Sequence, residues 1–153
     1  MKHLILVGMV WLCSLVSVVA QSAPQVIPAL QQWQPAKGKL VLPESGKVIV
    51  SSDEEGILKQ SAEILVQDLK EMFGWNYRVV VGKKEKGSVY LTLSKPDKTL
   101  GDEGYRMDIR NGVTIEAPTS KGVFWGTRTL LQMIHNQPEG LMKGLATDFP
   151  LYP

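Results

Sequence analysis

The chain has 153 residues, a formal net charge of +2 at pH 7 and a single cysteine. So small a charge gives no electrostatic reason to expect binding to nucleic acid or to an anionic membrane, and it suits a neutral partner such as a carbohydrate or a protein. The cysteine, Cys13, lies within the first twenty residues, which are expected to be removed. The remaining chain therefore has no disulfide and no cysteine-ligated metal site, and its fold must be held together by its hydrophobic core.

Residues 1–20 have the composition of a secretory signal peptide. A short positive start, Lys2-His3, precedes an apolar run over residues 4–19 and small residues up to Ala20. The run is shorter than the roughly 20 apolar residues that span a bilayer. We therefore expect cleavage after Ala20 and a secreted or periplasmic product without a stable membrane anchor.

The chain after the expected cleavage site begins with a polar, proline-containing lead-in over residues 21–34. Two β-rich stretches follow, at residues 39–42 and 47–51. The residues between them, 43–46, have turn chemistry, so the sequence predicts two strands joined by a tight connection.

The next segment predicts an amphipathic helix that begins at Ser52 and ends at Gly74. Ser52 and Glu55 have the spacing of a capping box, and glycine can adopt the left-handed conformation that ends a helix. Two β-rich runs, residues 77–81 and 88–93, follow this helix. The apolar stripe that defines the helix consists of Leu58, Ala62, Leu65, Leu69 and Met72.

A hairpin is the clearest β-structure in the sequence. Apolar and polar residues alternate over residues 105–109 and again over 113–117, so each strand has one apolar and one polar face. Asn111-Gly112 between them supplies the two positive-φ residues of a tight turn. The sequence therefore predicts an antiparallel pair with one face in the core.

A second helix is predicted from a cap at Thr119 or Ser120 to Asn136. Gly122 and Gly126 are four residues apart and form a smooth strip where the helix can approach a sheet closely. The apolar side of the helix consists of Val123, Thr127, Leu130 and Ile134. Together these elements predict an α+β fold, a two-layer sandwich with two helices on one face of a mainly antiparallel sheet.

The stretch from Glu103 to Ile134 resembles the most recognisable segment of the N-terminal domain of family 20 glycoside hydrolases, the β-N-acetylhexosaminidases. In that family a strand beginning Glu-Gly-Tyr leads into a hairpin, and a helix with paired aromatic residues and then Thr-Leu-Leu-Gln follows. This chain has the same order, with Phe124-Trp125 as the aromatic pair. Residues 148–153 are similar to the linker that enters the family's catalytic barrel, and the resemblance covers essentially all of the chain after residue 20.

The resemblance implies that the parent enzyme removes terminal N-acetylhexosamine residues from glycans with retention of configuration. In that mechanism the substrate's own acetamido group acts as nucleophile, and an adjacent Asp-Glu pair in the (β/α)₈ barrel assists it. We therefore expect residues 21–145 to form a support domain and residues 146–153 to begin the linker to a barrel that this fragment lacks. No catalytic, cofactor-binding or metal-binding residue is assigned, no cofactor is expected, and glycan would be met only through the barrel.

Several local patterns allow a functional interpretation and are better explained structurally. Asp102-Glu103 is expected to open a strand, where neighbouring side chains point to opposite faces. The acidic run 53–55 suits the first turn of a helix. Trp75 and Tyr77 are expected to seal the edge of the core, and Trp125 is expected to pack internally or against the barrel. His135 is expected to end a helix, and residues 83–86 are expected to form a solvated loop.

Two alternatives remain open at this stage. The chain could be the front domain of another barrel glycosidase, of the kind that acts on O-linked N-acetylglucosamine or on glucuronides. It could also be a free-standing exported module that binds a glycan or a protein, with Trp75 as part of a sugar-stacking platform.

Overall fold

The computed structural model of the protein describes residues 22–149, apart from the side chain of Asp53. The expected signal peptide and the last four residues of the expected linker lie outside the described residues. Neither α-helix in residues 22–149 has the length and hydropathy needed to cross a membrane. The elements are β1 (Gln32–Leu40), β2 (Ser45–Val50), α1 (Glu55–Phe73), β3 (Asn76–Val81), β4 (Val89–Leu93), β5 (Tyr105–Ile109), β6 (Val113–Ala117), α2 (Ser120–Asn136) and β7 (Leu141–Asp148).

The seven strands form one sheet in the order β1-β7-β5-β6-β4-β2-β3. The ladders that join β1, β7, β5 and β6 are antiparallel, whereas those that join β6, β4, β2 and β3 are parallel. The α+β class is confirmed, and the sheet is mixed rather than mainly antiparallel. Part of the reason is that α1 carries the chain from β2 back to a parallel neighbour, β3, and strand composition does not reveal strand direction.

Both helices lie on the same face of the sheet and contact each other, so the predicted two-layer arrangement is confirmed. The predicted hairpin is β5 and β6, with Met107 paired to Ile115 across it. Its turn differs from the prediction, because neither Asn111 nor Gly112 has a positive φ, and the Arg110 amide donates to the Gly112 carbonyl at 3.1 Å. The core between the layers includes Val48, Val50, Leu58, Leu65, Leu69, Leu91, Met107, Ile115, Leu130 and Met133.

The start of α1 differs from the prediction. Residues Ser52–Glu54 form a 3₁₀ turn, and the helix begins at Glu55 without a side-chain cap, so the expected capping box is absent at this helix start. The end is as expected, because Gly74 adopts a left-handed conformation with φ 73° and donates to the Lys70 carbonyl at 2.9 Å. At α2, the Thr119 hydroxyl caps the helix by accepting from the Gly122 amide at 3.2 Å.

The largest difference from the sequence prediction lies at the ends of the domain. β7 was not predicted, and the boundary placed after residue 145 falls inside this strand, so residues 146–148 belong to the sheet. β7 pairs with β5 on one side and with β1 on the other. Its pattern is interrupted by Lys143 and Gly144, which hides the period-two alternation that identifies an isolated strand.

Candidate interface on the outer face of the helices

The inner face of α2 is fixed by close contact with the sheet. A side chain at Gly126 would place its Cβ 2.5 Å from Ile115 Cγ2 and 3.2 Å from the ring of Tyr105. A side chain at Gly122 would overlap the carbonyl oxygen of Gly104. The two glycines therefore let the helix backbone lie directly on β5 and β6, as the sequence indicated, and this fixes which residues of α2 point outwards.

An N-terminal arm, residues 22–31, is held along α2 by side-chain amides. Gln132 donates to the Ile27 carbonyl at 2.9 Å and accepts from the Ile27 amide at 2.8 Å, and Asn136 donates to the Gln25 carbonyl at 2.8 Å. The Gln132 side-chain amide thus pairs with both the N–H and the C=O group of Ile27, as the backbone of a neighbouring strand would. The arm leaves Ile27 86% exposed beside α2.

A groove of about 430 Å³ lies between the arm, α2 and the end of β7. We call it the outer groove. Its lining is mainly apolar and includes Ile27, Pro28, Tyr105, Trp125, Asp148 and Phe149. The described chain reaches its last residue, Phe149, at this groove.

Two polar residues of the outer groove, Tyr105 and Asp148, are hydrogen-bonded within the protein. The Tyr105 hydroxyl lies 2.6 Å from the Thr129 hydroxyl, and Asp148 accepts from the Phe149 amide at 3.0 Å. Burial raises the pKa of Asp148, although the hydrogen bonds from Phe149 and Tyr105 act in the opposite direction. Burial also raises the pKa of Tyr105. Tyr105 and Asp148 are thus engaged within the protein, while the side chains of Gln31 and Glu103 also line the groove.

The apolar surface continues from the outer groove across both helices. Ile57, which is 55% exposed, and Ile64 on α1 line a second groove with Phe124 and Trp125 on α2. We call these four residues the outer strip. Trp125 is 47% exposed and lines both grooves, so it connects the outer groove with the rest of the outer strip. Contiguous exposed apolar surface of this kind marks an interaction site.

A polar clamp keeps the two helices in register beneath the outer strip. Arg128 on α2 forms an ion pair with Asp68 on α1, and its guanidinium lies 4.8 Å from the centre of the Phe124 ring. The Phe124 and Trp125 rings meet edge to face with their centres 5.5 Å apart. The outer strip is therefore supported by contacts between both helices.

The structure corrects the interpretation of one acidic pair. Asp102 and Glu103 lie in the turn before β5 and not in the strand, so the argument from alternating strand faces was wrong. The Asp102 carbonyl accepts a hydrogen bond from the Thr119 hydroxyl, and Glu103 lies at the rim of the outer groove. The Asp102 carbonyl thus ties the start of α2 to the turn before β5.

The residues that could have formed a sugar platform pack as an aromatic cluster. Trp75 stacks on Tyr77 with ring centres 6.0 Å apart, and the Tyr77 hydroxyl donates to the Pro43 carbonyl at 2.8 Å. Trp75 is half-buried against the core. The expectation that these residues seal the edge of the core is confirmed.

The other residues considered for a functional role, His135 and residues 83–86, do not form a site together. His135 is exposed in the last turn of α2, and no group of metal-ligating side chains occurs within residues 22–149. In the loop expected to be solvated, Glu85 forms an ion pair with Lys47 at 2.7 Å. The sequence identified Trp125 as a residue of interest but gave no sign of the arm, because the contact of Gln132 with Ile27 joins positions distant in the chain.

The comparisons with known proteins agree with the fold described above. The family described as glycosyl hydrolase family 20, domain 2, matches residues 23–149. A lacto-N-biosidase from Bifidobacterium bifidum is 30% identical over 131 residues, which are 84% of this chain and 11% of that protein.

Solved structures agree with that match. The GH20 β-N-acetylhexosaminidase from Streptomyces coelicolor superimposes with a TM-score of 0.66 at 28% identity, covering 82% of this chain and 26% of the other. The N-acetyl-β-hexosaminidase from Streptomyces plicatus gives a TM-score of 0.65 at 30% identity, covering 83% and 26%. The chain thus spans about a quarter or less of the length of these relatives.

Proposed function

The chain belongs to the domain 2 family of the family 20 glycosyl hydrolases, and from this membership we propose that it is the non-catalytic support domain of a secreted hexosaminidase-like enzyme. The domain acts by packing against a catalytic barrel in the same polypeptide. The parent enzyme hydrolyses terminal N-acetylhexosamine residues of glycans, and the residues that carry out the reaction belong to the barrel.

The observation that carries the proposal is the position of Trp125. Its exposed ring connects the outer groove with the rest of the outer strip, and the last described residue, Phe149, lies in the outer groove. An apolar surface of this kind on the outer side of a helix layer is favourable only when another surface covers it. A domain that follows Phe149 in the chain is placed to cover it.

The proposal is tested by hydrolysis of a chromogenic N-acetylglucosaminide. We expect no turnover by this chain and turnover by the longest polypeptide that its gene encodes. Turnover by this chain alone, or none by the longer polypeptide, would contradict the proposal. Binding of N-acetylglucosamine by this chain alone, with loss of binding in Trp75→Ala, would instead support a free-standing glycan-binding module.

A second measurement addresses the packing role directly. In the longer polypeptide, Trp125→Ser is expected to lower the melting temperature of the barrel, because the variant removes apolar area from the contact between the domains. Lys59→Ser, at an exposed position of α1 that lines neither groove, is the control. An unchanged melting temperature in Trp125→Ser would show that the barrel does not rest on this surface.

A further inference from the structure

The strand β3 forms one edge of the sheet and is regular along its whole length. It pairs with β2 in parallel through six residue pairs, from Ser45 with Asn76 to Val50 with Val81, without a shift of register. Edge strands of this kind expose backbone hydrogen-bonding groups that can pair with another strand.

The hydrogen bonds at the two ends of β3 show which backbone groups point outwards. The Asn76 amide donates to Glu44 at 2.7 Å, and the Gly82 amide donates to Val50 at 2.9 Å. In a parallel pair, every second residue directs both its N–H and its C=O groups to the same neighbour. The alternate residues Tyr77, Val79 and Val81 therefore direct theirs away from the sheet, and among the described residues no turn, loop or cap hydrogen bond involves them.

The opposite edge of the sheet is protected in ways that β3 is not. β1 contains Pro35, its register shifts between Pro35 and Lys39, and Gly38 between them has a φ of 96°. Proline, irregular register and lysine are features that block the addition of a strand to an edge. In β3 the one charged side chain is Arg78, and the strand ends in Val79-Val80-Val81, a run with high β-propensity.

We propose that β3 is a dimerisation edge, at which it pairs antiparallel with β3 of a second copy of the chain about a two-fold axis at Val79. Val79 then lies opposite Val79 of the second copy, and Tyr77 lies opposite Val81. Each of these pairs exchanges two N–H···O bonds, so every outward-facing group of Tyr77, Val79 and Val81 finds a partner.

A second copy fits this edge because the edge is complementary to itself. The same three residues donate and accept on both sides, as an isologous interface requires. Arg78 falls opposite Val80 of the second copy, so the single charge of the strand does not directly face its own image. The proposal is independent of the outer groove and the outer strip, because no residue of β3 lines either of them.

The size of the contact sets the expected affinity. One pair of six-residue strands buries less surface than the roughly 1,600 Å² of a standard stable interface. The dimer should therefore be weak and should depend on protein concentration. Hydrogen exchange of individual amides is the suitable measurement, because it reports where on the chain the second copy binds.

The test compares amide exchange in this chain at low and high protein concentration. The amides of Val79 and Val81 should become protected as concentration rises, whereas the Val80 amide, which is bonded to β2, should be protected throughout. Exchange at Val79 and Val81 that is independent of concentration would overturn the proposal. Association through the outer strip would leave these amides unchanged and would be lost in Trp125→Ser.

Val79→Pro is the matching variant. It removes an N–H that β2 does not use, and proline is tolerated on the free side of an edge strand. The dissociation constant of the dimer, measured by sedimentation equilibrium, should rise roughly thirtyfold because two symmetry-related hydrogen bonds are lost. A folded variant, shown by an unchanged circular dichroism spectrum, that dimerises as well as the unaltered chain would contradict the edge pairing.

Discussion

The two faces of α2 are built from different chemistry. Towards the sheet, Gly126 and Leu130 are fully enclosed, and the glycine has no room for a methyl group. Away from the sheet, Trp125 is half-exposed beside the arm that Gln132 holds. Residues one position apart in the chain therefore lie in different environments, since Gly126 contacts the sheet whereas Trp125 is half-exposed to solvent.

The largest effect is expected at Leu130 on the inner face. Leu130→Ala should lower the free energy of unfolding by about 2–5 kcal/mol, because the side chain is fully buried and its loss leaves a cavity. Urea denaturation followed by circular dichroism measures the change. Lys121→Ala, on the outer face of the same helix, is the control and should stay within about 0.5 kcal/mol. Equal losses in both variants would remove the distinction between the faces.

The next effect is a contrast between two helical glycines. Gly126→Ala should cost about 1–3 kcal/mol through overlap with Ile115 and Tyr105, reduced by the better helix propensity of alanine. Gly56→Ala in α1 is the matched control. Its Cβ would meet no atom within 4 Å, so this variant should gain about 0.5–1 kcal/mol. A Gly126→Ala variant as stable as the unaltered chain would show that α2 can move away from the sheet.

The elements that the sequence predicted well are those whose signal is local. The hairpin strands and the apolar stripe from Leu58 to Leu69 both come from periodicity within a short window. The predicted type of the hairpin turn was wrong, since neither Asn111 nor Gly112 has a positive φ, and Met72 at the end of the stripe is exposed. β7, the mixed strand directions and the arm contact of Gln132 depend on which distant segments meet. The family resemblance supplied the fold of the domain, but the outer groove requires Ile27, Trp125 and Phe149 to be brought together in three dimensions.

A smaller effect is expected from the Asp148 carboxyl group in the outer groove. Burial raises its pKa in the folded chain, so folding favours the protonated form. The stabilising contribution of that form is present below the ordinary carboxyl pKa and is lost as the pH rises through the raised value. Asp148→Asn can keep the bond from the Phe149 amide, and it should therefore be slightly more stable than the unaltered chain at neutral pH.

The advantage of Asp148→Asn should disappear on acidification, because the unaltered carboxyl group is then neutral in both the folded and the unfolded chain. Thermal melting across a pH series measures this difference. Asp102→Asn, which makes the same change in net charge at an exposed position, is the control. An advantage that persists unchanged into acid would show that burial of the Asp148 charge is not its cause.

The smallest effect on stability is expected at Trp125, although it is the largest side chain on the outer face. Trp125→Ser should change the free energy of unfolding by less than about 0.5 kcal/mol, because the ring is already half in water in the folded chain. The same variant should bind less of a hydrophobic dye and should be retained less on a hydrophobic column. Loss of the Trp125 ring interrupts the exposed apolar surface between the outer groove and the other residues of the outer strip. A loss of stability comparable to that of Leu130→Ala would place Trp125 in the core. Unchanged dye binding would show that the apolar surface does not depend on its ring. If stability holds while surface hydrophobicity falls, selection for folding does not account for a tryptophan at this position, and contact with another surface does.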